Sequence, residues 1–404
     1  MRVLIVLESE FPPDVRVEHE MNALVEAGHE VDVACASRRI SPQAERAGNS
    51  WIFRVPMSSF IHKSSVGCLR FPIYFRFWRK FIFGLLRKNN YDAIHICDLP
   101  LARIGIEAKH EFNLKFILDL HENWPALVQY APHTRTLAGR LLSSNRQWKA
   151  YEKRVLPEAD IVITVIEEAR DRILSLGGAG DKVIIVSNTV DITNLKIAPA
   201  KKERDDFLLF YAGGINRHRG IQVVLEAIAC LKMQNVKLDF HVVGSGSYRK
   251  HLESLATELG IGDRVAFLGH RPFDEMIGML SAADAAIIPH LRTANNDAAS
   301  PNKLYQYMYL RKPVISSDCT SLNRIINETG SGFIYRDSSP TDLASLLVKL
   351  IKERDLLEEK GEKGRRAVLT RYNWNIDKER LITAYNKLGN YLPGNMTPGS
   401  NSVP

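Results

Sequence analysis

Short apolar runs rich in β-branched residues alternate with amphipathic stretches through this chain, and the alternation occurs twice over. In the first pass, residues 3–7, 31–34, 93–97, 116–118, 161–165 and 183–186 read as strands, because Val and Ile pack well on a pleated surface. Helical spacing fills most of the gaps. Residues 15–27 carry it and stop at Gly28, a residue suited to the position just past a helix end. Alternation of this kind builds a parallel sheet covered on both faces. The pattern lapses over residues 192–206, where Lys201-Lys202-Glu203-Arg204-Asp205-Asp206 reads as a linker. It then restarts, with strands at 207–211, 238–243, 265–267, 285–288 and 314–316 and helices at 221–233, 248–259, 274–281 and 302–310. The expected fold class is α/β, with two doubly wound domains, 1–191 and 207–370, facing across a cleft. Such domains bind ligands outside the carboxyl ends of their strands, so the cleft is the expected site. Residues 391–404, with Pro393, Gly394, Pro398 and Gly399, have the composition of a disordered tail.

A length of 404 residues suits two such domains. The N-terminal apolar stretch meets Glu8 and Glu10 at once, too soon for a secretory leader. No run reaches the roughly 20 apolar residues that cross a bilayer, so a cytoplasmic protein is expected. The five cysteines are scattered, with no C-x-x-C pair, which argues against a zinc knuckle or a disulfide framework. A net charge of +8 admits a phosphorylated ligand, an anionic membrane surface or nucleic acid. Without zinc-finger spacing or an RNP-type aromatic motif, no nucleic-acid partner is expected.

Four segments carry candidate chemistry. In Ser300-Pro301-Asn302-Lys303-Leu304-Tyr305-Gln306, serine is a favoured N-cap and proline a favoured first helical residue. The free amides of Asn302 and Lys303, the helix dipole and the Lys303 charge then suit a diphosphate. An ordinary capped helix reads equally well from the same residues. In Tyr211-Ala212-Gly213-Gly214-Ile215-Asn216-Arg217-His218-Arg219-Gly220, Gly213 and Gly214 allow close backbone approach, and Arg217 and Arg219 match phosphate oxygens. Asp119-Leu120-His121-Glu122 follows a first-domain strand. There His121 is a candidate to donate to a sugar, and Glu122 to orient it or to bond a hydroxyl. Gly244-Ser245-Gly246 ends another strand and reads as a nucleotide wall or as a plain turn.

At these residues the chain resembles the group 1 glycosyltransferases, family 4 of the retaining transferases, whose GT-B fold has two doubly wound Rossmann-like domains. The stretch from Phe11 to Glu18, Ala27-Gly28-His29-Glu30-Val31, Phe267-Leu268-Gly269 and Lys312-Pro313-Val314-Ile315 are similar to the family as well. The resemblance puts Asp14 and Arg16 on the first domain's side of the cleft. It also implies that a closing helix at 371–390, opened by Arg371-Tyr372-Asn373-Trp374, returns to the first domain. In the family an arginine and a lysine after the second domain's first strand hold the donor diphosphate. Here Arg219 stands at the lysine position and Gly214 at the arginine position, with Arg217 as the nearby substitute. The first glutamate of the family's E-x7-E motif falls on Ala298, beside Asp297. The second falls on Gln306, which can still accept from a ribose hydroxyl.

The resemblance implies transfer of a sugar, with retention, from a nucleoside-diphosphate sugar to an acceptor hydroxyl. The acceptor is a saccharide or a lipid-linked saccharide, as in surface polysaccharide biosynthesis. With no D-x-D triad in the sequence, no metal or other cofactor is expected, and activity should resist EDTA. A nucleotide-sugar epimerase on the same fold, or a silent nucleotide-binding scaffold, are the alternatives. Finally, the basic amphipathic stretch at 69–88 admits two readings. One packs Tyr74, Phe75, Trp78, Ile82 and Leu86 on the first sheet. The other adds contact of the rim residues Phe77, Arg79, Lys80 and Phe83 with the inner face of the cell membrane.

Overall fold

The computed structural model describes residues 1–38, 43–193 and 206–390, so the linker reading falls almost wholly, and the tail reading entirely, outside the described residues. The chain divides into two compact units. One comprises residues 1–187 together with the closing stretch from Asp377, and the other residues 188–376.

The first unit opens with β1 (Arg2–Leu7), α1 (Val15–Glu26) and β2 (Glu30–Ser37). A hairpin of β3 (Ala44–Ala47) and β4 (Ser50–Pro56) follows, then α2 (Ser59–Ser64) and α3 (Ile73–Leu86). Next come β5 (Ala93–Cys97), α4 (Ala102–Phe112), β6 (Lys115–Leu120), α5 (Trp124–Leu127), α6 (Leu137–Leu142) and α7 (Asn145–Val155). β7 (Ile161–Thr164), α8 (Glu167–Ser175) and β8 (Val183–Ile185) complete it. The sheet runs β3-β4-β2-β1-β5-β6-β7-β8, parallel throughout except for the antiparallel β3. Its strand order reverses between β1 and β5, where Val3 lies opposite both Val31 and Ala93. The hairpin escapes sequence reading because β3 is the exposed, charged Ala-Glu-Arg-Ala, without an apolar alternation.

In the second unit β9 (Phe207–Ala212), α9 (Ile221–Met233), β10 (Leu238–Val243), α10 (Arg249–Glu258), β11 (Val265–Gly269) and α11 (Phe273–Ala282) come first. They lead to β12 (Ala285–Ile288), α12 (Asn302–Tyr309), β13 (Val314–Ser317), α13 (Thr320–Thr329) and β14 (Gly332–Tyr335). After α14 (Pro340–Lys352) and α15 (Asp355–Thr370), α16 (Trp374–Asn390) closes the described chain. The six strands are ordered β11-β10-β9-β12-β13-β14, with the reversal between β9 and β12. Residues 188–191 belong here rather than to a first domain ending at 191. Trp374 N donates to Val190 O at 3.0 Å and Asn188 Nδ2 to Ser300 O at 3.3 Å.

From Asp377 onward α16 belongs to the first unit. Leu381 and Tyr385 are fully buried there, and Lys378 pairs with Glu26. No helix of the described residues is long and apolar enough to cross a membrane.

α3 supplies much of the first core. Tyr74, Phe75, Trp78, Ile82, Phe83 and Leu86 are buried with Ile94, Ile96, Phe116 and Trp148. Aromatic edge contacts link Trp78 to Tyr74 and to Phe77, with ring centroids 6.3 and 5.9 Å apart. Trp78→Ala should lower stability by about 3–5 kcal/mol, the usual cost of emptying so large a buried volume. Urea denaturation of the variant against the parent measures it.

Candidate functional site

At the reversal point of the second sheet, the loops after β9 and β12 and the start of α12 bring four basic side chains together. Arg219 ends the turn after β9, and its Nη1 lies 3.0 Å from His290 Nε2, just past β12. Lys303, in the first turn of α12, holds its ammonium 4.1 Å above the centre of the Tyr211 ring. His218 lies beside them. Among the described residues no carboxylate pairs with any of the four, so burial and mutual repulsion act unopposed. Burial, then Arg219, holds the Lys303 ammonium well below the usual lysine range. His290 is fully buried; burial, then Arg219 and Lys303, hold it well below the usual histidine value. The same causes push His218 down to about 4. A neutral His290 that accepts from Arg219 at Nε2 carries its proton on Nδ1. That buried atom has no partner among the described residues, and neither has Arg219 Nε. Unsatisfied buried donors and crowded cations are both relieved by an anion.

The glycines serve this packing. A Cβ on Gly213, at φ +141°, would fall 2.3 Å from Lys303 Nζ, and one on Gly244, at φ +137°, would fall 1.9 Å from Gly213 O. The glycine-turn loops after β9 and β10 thus touch one another, leaving the lysine its place. Gly214 is exposed, and its carbonyl accepts from Tyr211 OH at 2.8 Å. Arg217 is exposed. Asn302 is exposed at the start of α12, and Gln306 is half-buried one turn on.

One expectation needs correction here. Ser300 is not the cap of α12. Pro301 occupies that position without a side-chain bond, and the Ser300 hydroxyl is 2.9 Å from Tyr305 OH. Asp297, next to Ala298, is not free to stand in for a glutamate. It accepts from Thr320 N at 2.8 Å and from Thr320 Oγ1 at 3.0 Å. His290 is a site residue that sequence reading missed; its only signal is a polar residue close after the apolar run of β12.

In the first unit, His121 follows β6 and Asp98 follows β5. His121 Nε2 is 2.6 Å from Asp119 Oδ2, and its Nδ1 is 3.6 Å from Asp98 Oδ2. Asp98 also accepts from the His121 amide at 3.0 Å. Asp98 sits at φ 67°, ψ 160°, backbone space that non-glycine residues rarely adopt. Burial opposes a charge on His121, but Asp119 and then Asp98 outweigh it and raise the imidazolium well above its ordinary value. These aspartates orient the ring, and Glu122 is exposed.

Arg16 is engaged in ion pairs within the first unit. It is buried, and its paired bonds go to Asp119 (Nη2–Oδ1 2.8 Å, Nε–Oδ2 3.0 Å). It also donates to Val186 O at 2.8 Å and lies 3.0 Å from Glu20. Asp14 caps α1, accepting from Val17 N. Glu20, His95 and Asp119 lie close enough to share a cation, but Arg16 already supplies positive charge to both carboxylates. His95 Nδ1 meets Tyr385 OH at 2.7 Å, tying α16 into the same network. Burial, against the pull of Arg16, pushes Glu20 up to about 7.

Residues 193–367 match the family model described as glycosyl transferases group 1, and residues 14–194 match the model for glycosyltransferase family 4. The chain belongs to the group 1 glycosyltransferases. It is similar to the uncharacterized glycosyltransferase MJ1607 of Methanocaldococcus jannaschii, 24% identical over 379 residues, which cover 89% of this chain and 90% of that one. Its fold matches that of WaaG, a glycosyltransferase involved in lipopolysaccharide biosynthesis. That match has a TM-score of 0.72 and 16% identity, and covers 95% of this chain and 99% of WaaG. HepE of Anabaena, solved in complex with UDP-glucose, matches with a TM-score of 0.71 and 14% identity over 96% of this chain and 100% of that one. The fold is GT-B and the chain a transferase.

Within this transferase, the raised His121 fixes a pH dependence. Below about pH 6.5, the ordinary value of an unfolded histidine, the imidazolium contact with Asp119 stabilises fully. That contribution is lost as pH rises through the higher folded value. His121→Gln should therefore flatten the alkaline decline of stability, as read by thermal unfolding of parent and variant across a pH series.

Proposed function

We propose that this protein transfers a sugar, with retention, from a nucleoside-diphosphate sugar to an acceptor hydroxyl. The diphosphate lies against Arg219 and Lys303. One observation carries the reading: a crowd of partly buried cations that meet no carboxylate, and of donors that meet no partner, among the described residues, at the strand-order reversal where doubly wound sheets bind ligands. The UDP-glucose complex of HepE, on the same fold, supports a nucleotide-sugar donor.

The difficult step is departure of the diphosphate while positive charge grows on the sugar ring. Arg219, Lys303, the His290 Nδ1 proton and the first amides of α12 stabilise the leaving charge in place. Gln306 takes the ribose hydroxyl, and the Gly213 and Gly244 loops line the nucleotide. His121, held by Asp98 and Asp119, positions the sugar or acceptor through Nδ1. These cations do the work of a metal, so no cofactor is required. The acceptor is a lipid-linked saccharide in surface polysaccharide assembly, a reading supported by the likeness to WaaG. The protein then works in the cytoplasm at the inner face of the cell membrane. Membrane contact through the α3 rim is not retained, because Phe83 is buried in the core and Arg79 is engaged with Glu107 at 2.7 and 2.5 Å.

Losing one such donor typically costs on the order of a hundredfold in rate. Arg219→Ala and Lys303→Ala should each reduce turnover by about that factor, and the double variant should lose donor affinity by titration calorimetry. Parent activity should survive EDTA. Unchanged donor affinity in the double variant overturns the reading.

An anion placed on a cation of depressed pKa raises it. Donor binding near neutral pH should therefore take up protons through Lys303. Calorimetry in buffers of different ionisation enthalpy reads the uptake, and Lys303→Met should reduce it.

A further inference from the structure

Acidic residues are absent from residues 46–91 and 123–151, and these two stretches carry thirteen lysines and arginines, against a net charge of +8 for the whole chain. They also hold most of the large hydrophobic side chains that stand exposed among the described residues. Phe60 is 66% exposed, Phe71 55%, Ile73 40%, Leu137 79% and Leu141 66%. Single exposed apolar residues are ordinary on a soluble surface, but a cluster marks an interaction site.

Folding brings the two stretches together. α6 packs on the turn at Ser65–Gly67 that continues α2. A Cβ on Gly67 would meet the Phe71 ring at 3.3 Å and the Leu142 Cδ2 at 3.9 Å, so the segments are in contact there. In α6 only Gly139 is buried, and Leu137 and Leu141, four residues apart, share its open side. Lys63, Arg70, Arg76 and Arg140 are exposed around them. Arg140 donates to Thr134 O at 2.7 Å, and none of the four meets a carboxylate among the described residues.

We propose that this face, built from α2, the Ser65–Gly67 turn, the start of α3 and α6, seats the first unit on an anionic phospholipid membrane. The apolar side chains enter the boundary between headgroups and acyl chains, and the cations meet lipid phosphates. Charge complementarity selects this occupant, because the surface offers one sign of charge and no acid to pair with a basic partner. The proposal rests on the membrane reading above and gives it a location away from the buried side of α3.

The test is co-sedimentation with vesicles of phosphatidylcholine alone, or of phosphatidylcholine mixed with phosphatidylglycerol, at low and high salt. The parent should bind the anionic vesicles and release them as salt rises. The double variant Leu137→Asp/Leu141→Asp should bind at least about tenfold more weakly, since apolar burial and attraction to anionic lipid set such binding together. Met233→Asp, at an 87% exposed residue of the second unit, should bind like the parent. All these side chains are exposed, and unchanged melting temperatures establish that the variants fold. Anionic vesicles bound equally by parent and double variant overturn this face while leaving the membrane reading standing. No binding of the parent at low salt overturns both. A dimer in solution that the double variant dissociates, without vesicle binding, assigns the face to a second copy of the chain and also overturns the proposal.

Discussion

Uncompensated positive charge at the reversal of the second sheet is the constraint on which the functional half of this structure turns. Lys303 and Arg219 repel one another, burial disfavours the charge on Lys303, and His290 is forced neutral beside them. An arrangement of that kind costs folding free energy unless something of opposite charge completes it. The surrounding fold over-determines the position of each cation. Tyr211 lies under the ammonium, and Gly213 leaves it room. His290 anchors the Arg219 guanidinium. In the proposed reaction a leaving diphosphate is met by charge already in place, and these contacts hold that charge in position.

The first unit handles charge in the opposite way. Arg16 is buried against Asp119 and Glu20, and its Nη1 donates to Val186 O. The pair ties α1 to the end of β6 and to the chain beyond β8, while His95 and Tyr385 add α16. Removing one member of such a network leaves a buried charge without its partner, so the residues hold each other in place. His121 draws on the same Asp119 carboxylate. The His121 ring thus takes its orientation from a structural salt bridge, and Asp98, at its strained backbone angles, faces the ring's other nitrogen.

Much of the architecture is legible in the sequence, since β-branched runs such as those of β10 and β12 report parallel strands buried on both faces. β3, β14 and the placement of residues 188–191 are not legible there. Short strands with charged or mixed residues are fixed by their neighbours, and a unit boundary depends on which loops pack where. At the site, Arg219 and Lys303 are visible because basic residues beside strand ends carry a recognisable pattern. Ser300 and Arg16 mislead for a common reason. A hydroxyl before a proline and an arginine near a strand end look like ligand groups until Tyr305 and Asp119 claim them.

Sequence alone determined the two-fold alternation, the basic residues after the second unit's first strand, and the concentration of positive charge in two acid-free stretches. Those properties belong to the order of residues along the chain and to local propensity. Only tertiary structure decided that His290 joins Arg219, that Asp98 and Asp119 meet His121, and that α6 lies against the turn after α2. Each of these depends on contacts between segments apart in the chain. The pairing is set by how strands order themselves in a sheet and by which polar groups burial forces to find a partner.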